Sequence, residues 1–384
     1  LAVAGLTVAA PEAHAATGFW YGTSGSNWST ATNWNNVATG TGSYTLVNGD
    51  SLRWFASSTS NRTSHNDLTG LSVAGLSFQS SSGAFTLNGN KLTLTGGFTG
   101  LPSSGTLTVN MPLELNLGTL TIDSGFNTTL NGVISEIGGS RGFQLSVGRV
   151  TLTGSNTFSG QILLGVTSGT STVVVNNLAN IGVAQPLGTG TTLQLGWTSG
   201  VGELIYNGSS DVSTDKRVIV GRDANPTGAV IRNNGSGVMV WNGALQGTSG
   251  AKTFTLGGSN TGTNTWASTI VNGASGTNSF TKEDAGRWIL SAANTFSGTT
   301  TVSGGVLGIS NNLALQNSSL STSGTGTIAL TVTTPTLGGL VGSTNLASVI
   351  TSGYGSVTNL TLNPGAGMTY SYAGALADGA AGMT

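Results

Sequence analysis

The sequence predicts an all-β chain wound as a right-handed parallel β-helix, a solenoid of many short strands. Three observations carry this expectation. Charged residues make up 7% of the chain and Gly accounts for 62 of 384 residues, against roughly 25% and 7% in ordinary soluble domains. Short runs alternating apolar with hydroxyl residues recur along the whole length, and none has a helical period. A nine-residue unit also repeats internally.

Composition excludes several classes. Twelve cations in 384 residues cannot neutralise a phosphate backbone, so no nucleic-acid partner is expected. A net charge of −1 with 37% hydrophobic residues argues against charge-driven disorder. Gly lacks the three-residue period of collagen, and Pro occurs only 7 times. Without Cys there is neither a disulfide framework nor a Cys-based metal site. What remains is Thr, Ser, Asn, Gly, Val and Leu, the composition of strands and turns.

From the N-terminus, residues 1–15 read as the remnant of a secretory signal peptide. Leu1 to Ala10 form an apolar stretch without a basic leader, and Ala13 and Ala15 supply an A-x-A ending, so the mature chain is expected to begin near Ala16. No later segment reaches 18 uninterrupted apolar residues, and no transmembrane helix is expected. Residues 16–70 form a Trp-rich unit in which Trp20, Trp28, Trp34 and Trp54 are four of the eight tryptophans, with Tyr21 beside the first. Buried, these aromatics would cap the open end of the solenoid, which otherwise exposes apolar core and strand edges. Exposed, they would stack on sugar rings or another surface ligand. The cap is the preferred reading.

Residues 71–384 carry the repeats. Strand-like runs include Lys91-Leu-Thr-Leu-Thr95, Thr106-Leu-Thr-Val109, Thr172-Val-Val-Val175 and Thr192-Leu-Gln-Leu195. Leu152-Thr-Gly-Ser-Asn156-Thr-Phe158-Ser-Gly160 and Leu290-Ser-Ala-Ala-Asn294-Thr-Phe296-Ser-Gly298 agree at six of nine positions. A weaker copy begins at Leu256 and contains Asn260. Gly374-Ala-Leu376 repeats Gly243-Ala-Leu245, so the chain reads as ending inside a repeat, with any anchor beyond residue 384.

No blade-like or sandwich-like repeat is present, whereas a parallel β-helix accommodates coils of this size and stacks like residues on like. About 22 residues per coil and ~4.8 Å between coils predict about 16 coils in a rod about 80 Å long. Asn156, Asn260 and Asn294 would then sit at turns, where Asn tolerates a left-handed backbone and can bond the next coil in a ladder. A solvent-facing turn is the other reading.

The stretch from Phe280 through Lys282, Gly286, Trp288, Leu290, Asn294, Phe296, Gly298 and Val302 to Leu307 resembles the autotransporter-associated β-strand repeat. Its pattern is L-x-K-x-G-x-G-x-x-x-L-x-G-x-N-T-Y-x-G-x-T-x-V-x-x-G-x-L. Here Glu283-Asp-Ala replaces the first Gly step and Ala292 replaces a later Gly. The resemblance implies a right-handed β-helical passenger displayed at the cell surface, or secreted, by a Gram-negative-type bacterium. That repeat is structural and brings no catalytic residues or cofactor.

The residues agree with that implication. His65 lies near Asp67 without a nucleophile elbow, and the other histidine, His14, falls within the signal remnant. One remaining histidine and no Cys cannot furnish a mononuclear zinc site. The densest charge clusters, Asp211, Asp215, Lys216 and Arg217 with Arg222 and Asp223, and Lys282, Glu283 and Asp284 with Arg287, mix signs. Such mixing favours turn ion pairs over the paired carboxylates of glycoside cleavage. The expected function is a non-enzymatic extracellular stalk or fibre, adhesive or structural, with self-association or surface and glycan ligands as partners. The competing function is an exported β-helical polysaccharide-degrading or glycan-binding protein.

Overall fold

A computed structural model describes residues 15–38, 42–55, 62–79, 83–99, 105–122, 127–197, 199–222 and 227–384. The remainder, including His14 and Asp223, lies outside the described residues.

Alternation sets the local structure. Thr106–Val109, Thr119–Ile122 and Asn127–Leu130 each bury every second side chain and leave the others at the surface, the period of a strand with one face inward. One coil runs through Thr106–Val109, Leu113–Leu115 and Thr119–Ile122, and the next through Asn127–Leu130, Ile134–Glu136 and Gly142–Leu145. Each strand pairs in parallel with its counterpart one coil along, as in Val109 on Leu130, Leu113 on Ile134 and Leu120 on Phe143. The chain is therefore a parallel β-solenoid, as its composition and periodicity predict.

Two long sheets of 14 and 11 strands form two sides, and a third side is split between sheets of 4 and 7 strands. The third side is interrupted between Ile134–Glu136 and Val212–Thr214, where the first Asn-Thr-Phe-Ser-Gly turn and a long loop take its place. The 11-stranded side ends at Leu245–Gly247, and turns replace strands there in the coils that follow.

Two expectations need correction. Among the described residues the longest sheet has 14 strands, fewer than the expected 16 coils, and at ~4.8 Å per strand it spans about 60 Å. Coils lengthen in the middle of the chain: Leu107 pairs with Thr128, but Ser171 pairs with Gly202 and Gly202 with Ala229. In addition, Thr17–Trp20 pairs antiparallel with Trp34–Asn35 before pairing in parallel with Ser51–Phe55. A two-residue antiparallel strand thus occupies the first edge, a short edge that limits further pairing.

The core is a set of stacked columns. One runs Phe85, Leu107, Thr128, Val150, Val173, Leu204, Ile231 and Leu256 through successive paired positions. Its next member is Lys282, followed by Val302. A lysine therefore occupies a position that neighbouring coils fill with aliphatic side chains. The two Gly-Ala-Leu copies also differ, since Leu245 is buried in a strand whereas Leu376 is exposed and unpaired in any sheet.

Candidate functional site

Three groups of residues are candidates for function: the N-terminal aromatics, the asparagines of the repeat, and the charged clusters. The aromatics come together because the strand Thr17–Trp20, the turn that follows and the strand Ser51–Phe55 all point inward at one end of the stack. Trp20, Trp28, Trp34 and Trp54 are all buried. Trp34 is edge-on to Trp20 at 4.9 Å and to Trp28 at 5.7 Å, and Trp54 stacks on Phe78 at 4.8 Å with planes 12° apart. Edge-on and offset arrangements match the quadrupoles of the rings. Trp34 Nε1 donates to the Trp28 carbonyl at 3.0 Å, whereas the indole N–H groups of Trp28 and Trp54 are buried without a hydrogen-bond partner. Tyr21 is half-buried, and its hydroxyl donates to the Ala38 carbonyl at 2.8 Å. None of the four indole rings presents a face to solvent.

Asn156 and Asn294 do the same work in their two coils. Asn156 Oδ1 accepts from the Ile134 N–H of the preceding coil at 2.8 Å, and its Nδ2 donates to the Pro186 carbonyl of the following coil at 2.8 Å. Asn294 accepts from the Ile270 N–H at 2.8 Å and donates to the Ala314 carbonyl at 2.9 Å. Both are buried, so each amide satisfies backbone groups that would otherwise be stranded between coils. Two residues on, Phe158 and Phe296 enter the core.

These asparagines clamp backbone and do not ladder on each other. They are also not left-handed: among the described non-glycine residues only Asp284 has a positive φ, at 60°. Asn260 is half-buried and bonds within its own turn and to Gly235, and the clamp passes to Asn264, which accepts from the Met239 N–H at 2.9 Å and donates to the Arg287 carbonyl at 3.0 Å. A side-chain ladder does exist elsewhere, in Asn88, Asn110, Asn131 and Thr153, linked at 2.7, 2.8 and 2.7 Å. Its members recur at the coil spacing, which is the signal that would have found it.

The charged clusters open onto neighbouring coils. Lys282 Nζ donates to the carbonyls of Glu283 at 2.6 Å, Asp284 at 2.9 Å and Gly304 at 3.0 Å. Burial pulls its pKa down to about 8 against the opposing pull of Asp284 and Glu283. Lys216, equally buried, donates to the Gly190 carbonyl, and desolvation lowers it to about 8 against the pull of Asp215. Glu283 and Asp284 pair with Arg232, which also binds Glu203 at 2.6 Å. Burial opposes the charge on Arg232, but Glu203, Glu283 and Asp284 together hold its pKa above the ordinary value. Sequence reading missed Arg232 because it stands two coils away from the cluster it neutralises. Asp211 and Asp215 accept from the Val238 and Ile181 backbone N–H groups, each at 2.7 Å. Arg222 lies 4.1 Å from the centroid of the Trp197 ring, a cation–π distance.

His65 is exposed, and its backbone pairs with Ser26 and Trp28. Asp67 accepts from Ser29 N–H at 2.8 Å and Ser29 Oγ at 2.5 Å. Burial raises its pKa, but these bonds outweigh that and leave it below the usual carboxylate range. Among the described residues, no three His, Asp or Glu side chains group as metal ligands, and no helix is long and apolar enough to cross a membrane. A shallow polar depression of about 260 Å³ lies along the 11-stranded side, lined by Thr119, Ser140, Gln144 and Gln161 among others.

Comparison with known proteins identifies the repeat. The family model described as the passenger-associated-transport-repeat matches residues 146–179 and 280–309, each of which contains one Asn clamp. The two copies sit one side of the solenoid apart. In the first, the Asn turn leads into the 11-stranded side, and in the second it leads into the 14-stranded side. The chain is similar to the adhesin BmaC autotransporter of Brucella suis biovar 1 (strain 1330), with 30% identity over 274 residues, 70% of this chain and 7% of that protein. The chain therefore corresponds to a small part of that relative's length. No solved structure matches it.

Proposed function

Because the chain is an autotransporter-passenger β-repeat protein, we propose that it serves as a non-enzymatic stretch of an extracellular adhesive stalk. Its task is to hold binding surfaces away from the cell that exports it. One observation supports this above the others: five polar and charged side chains of the candidate groups are committed to joining coils. Lys282, Lys216, Asn156, Asn294 and Arg232 all bind groups of adjacent coils. The name of the Brucella relative supplies the adhesive part of the reading, and the stacked columns supply the mechanical part. In this proposal the four N-terminal tryptophans are a cap that closes one end of the core, with 16–70 as the capping unit and 71–384 as the stalk.

The test is to add the labelled, purified chain to cultured cells, matrix proteins and a glycan array, and in parallel to incubate it with acidic and neutral polysaccharides. Saturable binding without any shortening of the polysaccharides is expected. Cleavage of any of them would replace the stalk by the exported polysaccharide-degrading enzyme. Self-association forms a further part of the proposal, since a β edge without a neighbour offers pairing groups and Trp34–Asn35 covers the first edge alone. A monodisperse monomer at high concentration would remove that part alone.

A further inference from the structure

Asp50 has no accessible surface at all. Its carboxylate accepts three hydrogen bonds, from the Ala16 N–H, the Tyr44 hydroxyl and the Val47 N–H, each at 2.8 Å. All three donors are neutral. The ion pairs among the described residues join Lys91 to Glu114 and Arg232 to Glu203, Glu283 and Asp284, and none includes Asp50. An anion buried without a cation is costly, because the low-dielectric surroundings leave its charge uncompensated. The residue that touches it, Ala16, follows directly on Ala13-His14-Ala15, whose small side chains at the first and third positions are what a signal-type peptidase requires. Ala15 itself is exposed.

We propose that cleavage between Ala15 and Ala16 supplies the missing charge, so that the new α-ammonium of Ala16 forms an ion pair with Asp50 and locks the aromatic end of the solenoid. In the hydrolysis, water adds its hydroxyl to the Ala15 carbonyl carbon, the C–N bond breaks, and the Ala15 carboxylic acid loses its proton. The Ala16 nitrogen gains two protons over its amide state and becomes –NH3+. One of the three N–H bonds keeps the direction toward Asp50 Oδ1 that the amide already has, and the others face the half-exposed side of Ala16. The leader thus does double service, as an export signal and as a block on the final charge state of the first strand. Export and completion of the fold are coupled by one bond.

Other charged or titratable groups near this pair do not compete for it. Tyr44, held on Asp50 and pushed up to about 12 by burial and by that carboxylate, keeps its proton through neutral and mildly alkaline pH. Arg53, on the neighbouring strand, lies over the Phe19 ring at 5.7 Å from its centroid. An unpaired α-amino group titrates near about 8. Pairing with Asp50 raises that value in the folded state, so the added stability is fully present below about pH 8 and is lost as pH rises through the raised value.

The experiment begins with the exported chain, whose amino terminus is read by mass spectrometry. A start at Ala16 is expected, and a start elsewhere overturns the proposal. Two forms are then compared across pH, one beginning at Ala16 and one carrying two extra residues before it, which retains the amide N–H but displaces the charge. The Ala16 form should melt about 4 °C higher at pH 6.5, and the gap should close by about pH 10. The gap cancels the titration of Lys216 and Lys282, which both forms share. Equal melting of the two forms at pH 6.5 overturns the ion pair. Asp50→Asn should abolish the gap, and a gap that survives the substitution places the charge's partner elsewhere. If that variant fails to fold, protection of the Ala16 amine from acylation in the unsubstituted chain gives the same decision.

Discussion

At the residue scale, the informative side chains are those that reach across coils. Asn294 joins three coils by accepting from Ile270 and donating to Ala314. Asn294→Ala leaves one buried N–H and one buried carbonyl without partners, at about 1–3 kcal/mol each. Hydrogen exchange at the Ile270 amide should accelerate by two to three orders of magnitude, with the N-terminal coils unchanged. Asn88→Ala, at the half-buried start of a ladder whose first bond is open to solvent, should cost less than about 1 kcal/mol, because water replaces its partner. The repeat made the clamp position legible in sequence, since Asn156 and Asn294 occupy equivalent places in two copies. Its weaker copy misdirected the reading to Asn260, when the clamp in that coil is Asn264. Four residues along the chain decide which amide lies over the gap between coils, and a nine-residue pattern cannot resolve that shift.

At the scale of elements, the ends and the interior obey different constraints. Interior strands such as Val150 on Val173 and Val173 on Leu204 are covered on both sides by copies of themselves. The first strand has a neighbour on one side only in the parallel sense, and the short antiparallel strand Trp34–Asn35 takes the other. In the proposed cap, the buried tryptophans stand where a further coil would otherwise pack. Trp34→Ala removes a fully buried ring that contacts Trp20, Trp28 and Trp54, at about 3–5 kcal/mol. A separate low-temperature transition in tryptophan fluorescence should appear, while the main melt stays in place. Glycan binding lost with melting unchanged would instead assign these rings to a ligand. The concentration of tryptophan near the N-terminus was visible in the sequence. Its burial was the preferred reading and not a forced one, because a row of aromatics reads the same whether it plugs a core or faces a sugar.

For the whole molecule, stability is a sum over neighbouring coils and not a property of one centre. Val173→Asp places a charge in the column between Val150 and Leu204, where no cation is paired with it, at roughly 3–5 kcal/mol. Exchange should open first in the coils flanking Val173 and spread outward, leaving the coils around Trp54 and around Leu307 protected longer. A single cooperative loss of all protection would show instead that the rod behaves as one unit. The same architecture explains the low charge. In a parallel stack each residue meets its counterpart about 4.8 Å away, so a like charge in successive coils would repel. Among the described residues, charges that do meet across coils meet unlike groups, such as Lys91 with Glu114 at 2.5 Å.

Composition and periodicity were sufficient to determine that this chain is all β, built from stacked short strands, and poor in groups for catalysis. They suffice because alternation, small side chains and scarce charge are local properties that every coil must share. Tertiary structure alone decided the coil lengths, the exchange of one strand-bearing side for another, the Arg232 network and the burial of Asp50. Those depend on which residues from different coils meet, and the distance in sequence between partners varies with each loop. Gly and charge percentages therefore specify the kind of rod, whereas the meeting of Ala16 with Asp50, 34 residues apart, is written only in three dimensions.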